Sequence, residues 1–553
     1  MAASTNRSLR GAKVDVVIVG AGPSGSVAAK RLAEAGMSVV CLEQGAMPDA
    51  ADFPGVSDEW ELVNQKQWHP DPNVRDRIAD YPIEASESSI APLMYAGVGG
   101  SAILYGGHWA PFLPSDFRTK TLDDVGFDWP FTYEDILPDL IAVERDVGIS
   151  GLPGNTAYPE RDDSHLMPPL PIGKVGKKAA EGMNKLGWHW WPGIHAIASR
   201  PYNGLNPCVR RGTCMTGCTE GAKSTTDITH WPSALKAGAQ LLANCRVAEI
   251  ELNEAGLASG VVYIDSRGRK RRQEADVVIL CANAVGTPRL MLTSATGKHP
   301  NGLANRSDQL GRNLMMHPYA AVLGIFDENL ESWRGPYGLS LESYEFYETD
   351  ASRGFKRGAK WNIMPTGGPL GVTGMFGSDV FGDAHSDLFD RWGKAFPETI
   401  LRRFGKGILY GIQGEDLPEE SNRVVLDENL TDSDGIPAPK VIYRVSENSR
   451  KLLDFNVRRC VEAAEASGAI ETHIIPQVRE TGWHLLGTAR MGADPETSVT
   501  DQWGATHDIA NLYILDASTF PTSAAVNPTA TIMAVAHRQA GKIIETRRDL
   551  GTR

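Results

Sequence analysis

No run of apolar residues approaches the roughly 18 that a membrane-spanning helix needs, and Met1–Lys13 is polar and mildly basic. Neither a membrane span nor a secretory leader is expected, and the chain reads as cytoplasmic. Basic residues are outnumbered, 55 Lys and Arg against 68 Asp and Glu, for a formal charge of −13. A surface of that sign repels phosphate backbones and anionic lipid, which argues against nucleic acid and membrane surfaces as partners. Cysteine is scarce, seven in 553 residues, and only Cys208, Cys214 and Cys218 stand close together, so no disulfide framework is indicated. Internal repeats and low-complexity tracts are missing too. What is left is an ordinary globular composition, long enough for two or three domains, with the oligomeric state open.

The most informative stretch present is Val14–Gly45, VDVVIVGAGPSGSVAAKRLAEAGMSVVCLEQG. A mostly β-branched run from Val14 to Val19 leads into Gly20-x-Gly22-x-x-Gly25, a helical pattern ending at Gly36, and a second apolar run, Ser38–Leu42. This is the pattern of a βαβ unit. Gly20 makes the tight turn, Gly22 lets a pyrophosphate approach the backbone, and Gly25 lets helix and strand pack closely. The first N–H groups of the helix then face the anion. Glu43 stands roughly 20 residues past the first glycine, where a carboxylate accepts the hydroxyls of an adenosine ribose. The unit specifies an adenine dinucleotide without distinguishing FAD from NAD.

Beyond a surface excursion at Ala46–Pro82, the segment Tyr95–Phe112 carries the pairs Gly99-Gly100, followed by Ser101, and Gly106-Gly107. They bracket a short apolar piece that reads as the start of a helix, suited either to tight packing or to a close cofactor contact. Helices are predicted after Trp129-Pro130, capped by Thr132, and at Lys174–Leu186. The latter delivers Trp188, Trp190 and Trp191, which can stack on sugar rings or pack between domains. Strands are predicted at Ala239–Glu251 and Leu257–Val262, then a strand and a helix across Ala275–Leu292, the helix starting near Thr287-Pro288. The loop Pro207–Lys223 spaces its cysteines as Cys-x5-Cys-x3-Cys. That spacing supports zinc poorly and leaves two readings, an iron–sulfur cluster or three reduced thiols in a compact turn.

From Ala320 to Glu480, strands at Ala321–Phe326, Lys360–Pro365, Ile408–Gln413, Arg423–Leu426 and Lys440–Tyr443 predict a mainly antiparallel sheet, with Thr366–Asp383 as a candidate lid carrying Phe376 and Phe381. Glu447–Ala469 reads as an amphipathic helix, with Leu453, Val457, Cys460 and Ala464 in its core stripe, returning the chain to the first domain. In Gly482–Ala536, His484 precedes a Gly487-Thr488 turn, a short strand ends at Asp516, and Asn527-Pro528-Thr529 opens the last helix. An imidazole is the natural acceptor of an alcohol proton near neutrality. His484 and Asn527 are the candidates, against a structural histidine and a helix cap.

These blocks, in this order, resemble the glucose–methanol–choline (GMC) oxidoreductases over nearly the full length, most closely a bacterial branch similar to pyranose oxidases and C-glycoside 3-oxidases. The resemblance implies an α/β fold in which a Rossmann-like FAD-binding domain (1–112, 200–319 and 481–553) is interleaved with a substrate domain (113–199 and 320–480) built on the antiparallel sheet. It implies FAD held by Gly20, Gly22, Gly25, Glu43, Gly99, Gly100, Ser101, Val247 near the adenine, Asp516 near the ribityl and phosphate, and Pro528 and Thr529. His108, seven positions past Ser101, does not align with the histidine that attaches FAD covalently in some branches, so non-covalent FAD is expected. His484 and Asn527 become the catalytic pair for oxidising a secondary hydroxyl of a sugar or glycoside, at C2 or C3 of a pyranose, with hydride passing to flavin N5. Reoxidation falls to O2 or another acceptor. If Cys208, Cys214 and Cys218 held a [3Fe-4S] cluster, the chain would be a dehydrogenase feeding a relay, a reading not favoured here. A FAD-retaining lyase and a plain NAD dehydrogenase are the remaining alternatives.

Overall fold

The computed structural model describes residues 11–64, 66–75, 77–369 and 393–550. Most of the expected lid, including Phe376 and Phe381, lies outside them. The first domain is organised on β1 (Val14–Val19), α1 (Pro23–Glu34) and β2 (Val39–Leu42). Val16 and Ile18 face α1, against Val27, Ala28 and Leu32, whereas Val17 and Val19 face the opposite side with Val40 and Leu42. Both faces are covered, which is why the run is apolar throughout rather than alternating. Each such side chain contributes about 1.5–3 kcal/mol by leaving water.

Strand β7 (Lys270–Leu280) is shared between two arrangements. Its second half pairs in parallel with β1 (Val16 opposite Val277) and with β15 (Leu512–Ile514). Its first half pairs antiparallel with β6 (Ala258–Ile264), which pairs in turn with β5 (Arg246–Leu252). The expected single strand Ala239–Glu251 is two. Gln240–Leu242, β4, extends the parallel sheet beside β2, and the chain turns before β5. Asn244 in that turn takes φ +53°, which an asparagine tolerates.

Helix α2 (Tyr133–Val147) starts as expected at Thr132. Its hydroxyl accepts from the Asp135 amide, and the Asp135 carboxylate accepts from the Thr132 amide. It packs on α1 and on the last helix, Thr529–Leu550, with ion pairs Lys30–Asp146 and Arg31–Asp139 at the seam.

The second sheet is antiparallel, in the order β14 (Glu471–Ile475), β8 (Tyr319–Ile325), β11 (Gly407–Gly414), β10 (Ala359–Pro365), β9 (Leu341–Ser343) and β3 (Trp191–Pro192). Alternation separates its faces. Val322, Trp361, Ile363, Tyr410 and Ile412 pack under α3 (Gly173–Leu186) and α5 (Glu447–Ala466). Tyr319, Ala321, Asn362, Met364, Leu409 and Gln413 point the other way, into a cavity. The helix expected near the end of the 320–480 segment lies on this sheet, where its apolar stripe of Leu453, Val457, Cys460 and Ala464 covers the outer face. Trp188 also packs there, edge-on to Phe346 and Trp361.

The strands β12 (Arg423–Thr431) and β13 (Pro437–Ile442) form a separate hairpin on α4 (Asn283–Thr293) rather than part of the second sheet. Helix α4 begins before Pro288, since the Asn283 side chain caps the amides of Val285 and Gly286. Among the described residues no helix is long and apolar enough to cross a membrane.

Candidate active site

A cavity of about 400 Å3 runs along the carboxyl ends of the parallel strands and under the inner face of the antiparallel sheet. Ligands of open α/β sheets bind at this edge. One end is walled by Gly20, Gly22, Gly100, Ser101 and Glu43. Gly20 has φ +102°, and a Cβ on it would stand 2.3 Å from the Cys281 carbonyl oxygen; on Gly100, φ +56°, it would stand 2.8 Å from Gly22 Cα. Only glycine lets these backbones meet. Gly25 and Gly99 shape this wall from behind: Gly25 packs on the Gly20 carbonyl and Gly99 turns the chain. No side chain caps α1, which leaves its first N–H groups for an anion.

The buried Glu43 carboxylate accepts from the amides of Ala21 and Gly45, both at 2.9 Å. Burial still pushes its pKa up, and a carboxylate has further lone pairs for a ribose. Val247 borders the cavity with Arg246, Arg289 and Tyr81 on the Glu43 side, since the nearby Cys245 amide donates to the Glu43 carbonyl oxygen. Asp516 accepts from the amides of Asn283 and Ser518 and the hydroxyls of Thr287 and Ser518, joining the end of β15 to α4 beside the cavity. Pro528 and Thr529 border it where the last helix begins. Close-approach glycines, an uncapped helix start and a carboxylate at the tip of β2 fit FAD, which these residues would hold by its adenosine diphosphate half.

The other end brings His484 and Asn527 together, Asn527 Nδ2 standing 3.4 Å from His484 Nε2. His317 supports the pair from behind. Its Nε2 lies 2.8 Å from the Ala524 carbonyl oxygen and 3.2 Å from that of Ser523, so it carries the proton there. Burial lowers the His317 pKa to about 4, which keeps the ring neutral and makes Nδ1 an acceptor. His484 Nδ1, 2.7 Å away, must then be the donor. The Nε2 of His484 consequently presents a lone pair to the cavity, and burial holds its pKa well below the ordinary range. This is the protonation state a general base requires.

Asn527 is oriented from its other side. Its Oδ1 lies 3.2 Å from His108 Nδ1 and accepts from Lys360 Nζ at 3.4 Å, which turns the amide NH2 toward His484. Lys360 is fully buried and pairs with the buried Glu342 at 3.2 Å. Burial lowers its pKa and raises that of Glu342. His108 is pushed down to about 3 by burial and by the Lys360 charge. Charge at Lys360 thus helps keep all three imidazoles neutral.

Cys208, Cys214 and Cys218 surround a separate small cavity of about 30 Å3 and pack on Leu170, Ile197 and Ala222. The Cys208 sulfur accepts from the Arg210 amide, and that of Cys218 from the amides of Ala222 and Lys223. Burial raises the Cys208 thiol to about 11 and the Cys214 thiol as well. Among the described residues no group of three or more His, Cys, Asp and Glu is arranged to hold a metal ion.

Sequence reasoning missed four polar residues at or beside the His484–Asn527 end: His108, His317, Lys360 and Glu342. In the sequence His317 stands in the stretch Leu310–Pro318, LGRNLMMHP, which reads only as a turn, and His108 only as a histidine that does not align with the covalent-attachment position. Lys360 and Asn362 carried a usable signal, two polar residues alternating with Trp361 and Ile363 in a strand otherwise fit for a core.

Residues 177–319 and 418–536 match the family described as GMC oxidoreductase, and residues 13–50 match an FAD binding domain. The chain is 38% identical over 540 residues to the 2-methyl-1,2-propanediol dehydrogenase of Mycolicibacterium austroafricanum, covering 97% of this chain and 96% of that one. It is 29% identical over 554 residues to the fructose dehydrogenase large subunit of Gluconobacter japonicus, covering 96% and 97%. A solved formate oxidase from Aspergillus oryzae RIB40 shares the fold at TM-score 0.65 and 15% identity, over 98% of this chain and 100% of that one. The chain belongs to the GMC oxidoreductase family and is an FAD-dependent oxidoreductase acting on CH–OH groups.

Proposed function

We propose that the protein oxidises a hydroxyl of a sugar, glycoside or related polyol to the carbonyl, a secondary pyranose hydroxyl at C2 or C3 being the reading taken from its likeness to the pyranose oxidase and C-glycoside 3-oxidase branch. The carrying observation is the unprotonated Nε2 of His484 with the Asn527 amide NH2 3.4 Å away, a contact that a substrate hydroxyl would take over. The substrate hydroxyl binds between them. Its proton goes to His484 Nε2 while Asn527 Nδ2 holds the oxygen in line. When bound, FAD supplies the two-electron acceptor for the hydride that leaves the same carbon. His317 and Lys360 keep base and amide in these orientations, and the Gly20, Gly22 and Glu43 wall anchors the cofactor. The relatives named for 2-methyl-1,2-propanediol and fructose support a substrate with several hydroxyls. Residues 1–112, 200–319 and 481–553 are proposed as the FAD-binding part, and 113–199 and 320–480 as the substrate part.

Replacing His484 by Ala is expected to slow anaerobic flavin reduction by about a hundredfold or more; unchanged reduction in stopped flow would refute the assignment. Turnover is completed by O2 or by another acceptor, and peroxide formed in air distinguishes the two. Iron analysis of the purified protein tests the alternative of an iron–sulfur relay at Cys208, Cys214 and Cys218.

A further inference from the structure

The inner face of the antiparallel sheet carries two amides that the mechanism above does not use. Asn362 on β10 and Gln413 on β11 are each 1% exposed, and both border the cavity. Asn362 Nδ2 donates to Gln413 Oε1 at 3.5 Å. That leaves Asn362 Oδ1 and Gln413 Nε2 buried with no partner in the protein. Exchanging O and N in both amides does not alter the count, since one donor and one acceptor remain either way. Buried polar groups without partners cost stability, so their persistence at a cavity wall marks a place where a ligand completes them.

A hydroxyl is the complementary group, because it donates once and accepts twice. The location sets which hydroxyl. Gln413 is the register partner of Lys360, whose ammonium reaches Asn527 Oδ1, and directly opposed residues have Cβ atoms about 4.5–5.5 Å apart. The amide pair therefore lies about one residue's width from the group that orients Asn527. Tyr319 closes the side, its phenol facing Asn362 and its ring over Gly411, where a Cβ would overlap the Tyr319 hydroxyl. Met364, Leu409 and Ala321 on the same sheet face are the pair's apolar neighbours, and Tyr337 stands close enough to Tyr319 to help raise its pKa.

We propose that Asn362 and Gln413 form a subsite for a second substrate hydroxyl, on the carbon next to the oxidised one or one further along, so that the enzyme selects diols and sugars over monohydroxy alcohols. This rests on the alcohol-oxidation reading and specifies its substrate class. A site built to bond a hydroxyl leaves its polar groups unpaired when an analogue lacks it, which discriminates far more strongly than shape alone.

The test compares anaerobic flavin bleaching by 2-methyl-1,2-propanediol with that by 2-methyl-1-propanol, and by methyl glucoside with that by its monodeoxy analogues. In the holoenzyme, kcat/KM for the polyhydroxy member of the effective pair is expected to exceed that of its analogue by at least about 100-fold. Asn362→Leu and Gln413→Leu, accepted as folded by their flavin absorbance, should each lower that ratio at least about tenfold. If a leucine variant does not fold, Asn362→Ala and Gln413→Ala give the same readout. A wild-type ratio near one, or a ratio retained in the variants, overturns the subsite while leaving alcohol oxidation standing. Bleaching by no alcohol, diol or glycoside overturns both.

Discussion

The Nδ1 atoms of His317 and His484 lie 2.7 Å apart with their rings nearly perpendicular, at 83°. Because the opposite nitrogen of His317 is committed to the Ala524 carbonyl, this contact selects the tautomer of His484. His317→Ala removes that selection without touching the base itself. Flavin reduction is expected to slow by about 10- to 100-fold, the usual cost of losing a group that orients a functional imidazole. His317→Asn, whose side-chain oxygen can still accept, should recover part of the rate. Equal rates for wild type and His317→Ala would show that the contact does not orient His484.

The pH dependence follows from the depressed pKa of His484, caused first by burial and then by the reluctance of a second positive charge to form beside His317, His108 and Lys360. In the proposed role of His484 the neutral ring is the active form, so activity is expected above its pKa and lost as pH falls through it. In the free enzyme that pKa lies well below an ordinary imidazole's value of about 6.5. The kcat/KM for flavin reduction should therefore be level from about 6.5 upward on the acid side, its fall confined to lower pH. An acid limb centred at 6.5 or above would contradict the assignment of His484.

Cofactor retention is expected to depend on Gly100. Alanine there meets Gly22 Cα at 2.8 Å with φ +56°, and the left-handed conformation alone costs an alanine about 1–2 kcal/mol. Gly100→Ala should weaken FAD binding about tenfold or more, seen as a lower flavin-to-protein absorbance ratio after gel filtration. Gly36→Ala is the control, because Gly36 has φ +85° but open space around it. It should lower stability and keep the flavin.

Stability of the cofactor end is expected to depend on Asp432. This buried carboxylate bridges Arg246 at 2.9 Å and Arg289 at 2.7 Å, tying the β12–β13 hairpin to the first domain. The Arg289 hydrogen bond and charge outweigh burial and lower its pKa. The bridge therefore stabilises above the usual aspartate range and is lost as pH falls through the lowered value. Asp432→Ala leaves the buried Arg289 guanidinium without its carboxylate, while Arg246 keeps Asp434 at 3.0 Å, and should cost about 3 kcal/mol. Urea unfolding at neutral pH measures this, and a change below about 1 kcal/mol would show the bridge to be dispensable.

The sequence by itself determined the elements whose cause is local. Val14–Val19 is apolar because both faces of a parallel strand are covered, Gly20 and Gly22 are small because backbones meet there, and Thr132 with Asp135 starts a helix through its own side chains. His484 and Asn527 were also legible as candidates, from residue type and from the blocks around them. What only the tertiary structure decided is relative placement. Lys360, Asn362, His108 and His317 come from three distant stretches, and nothing near each of them in the chain marks the others. The helix Glu447–Ala466 shows an apolar stripe in sequence, but which sheet covers it depends on which face remains open. In the same way, periodicity predicts one strand at Ala239–Glu251, and two sheets competing for its halves divide it. The protonation state of His484 is the furthest from sequence, since it depends on a carbonyl at Ala524 acting through a second imidazole.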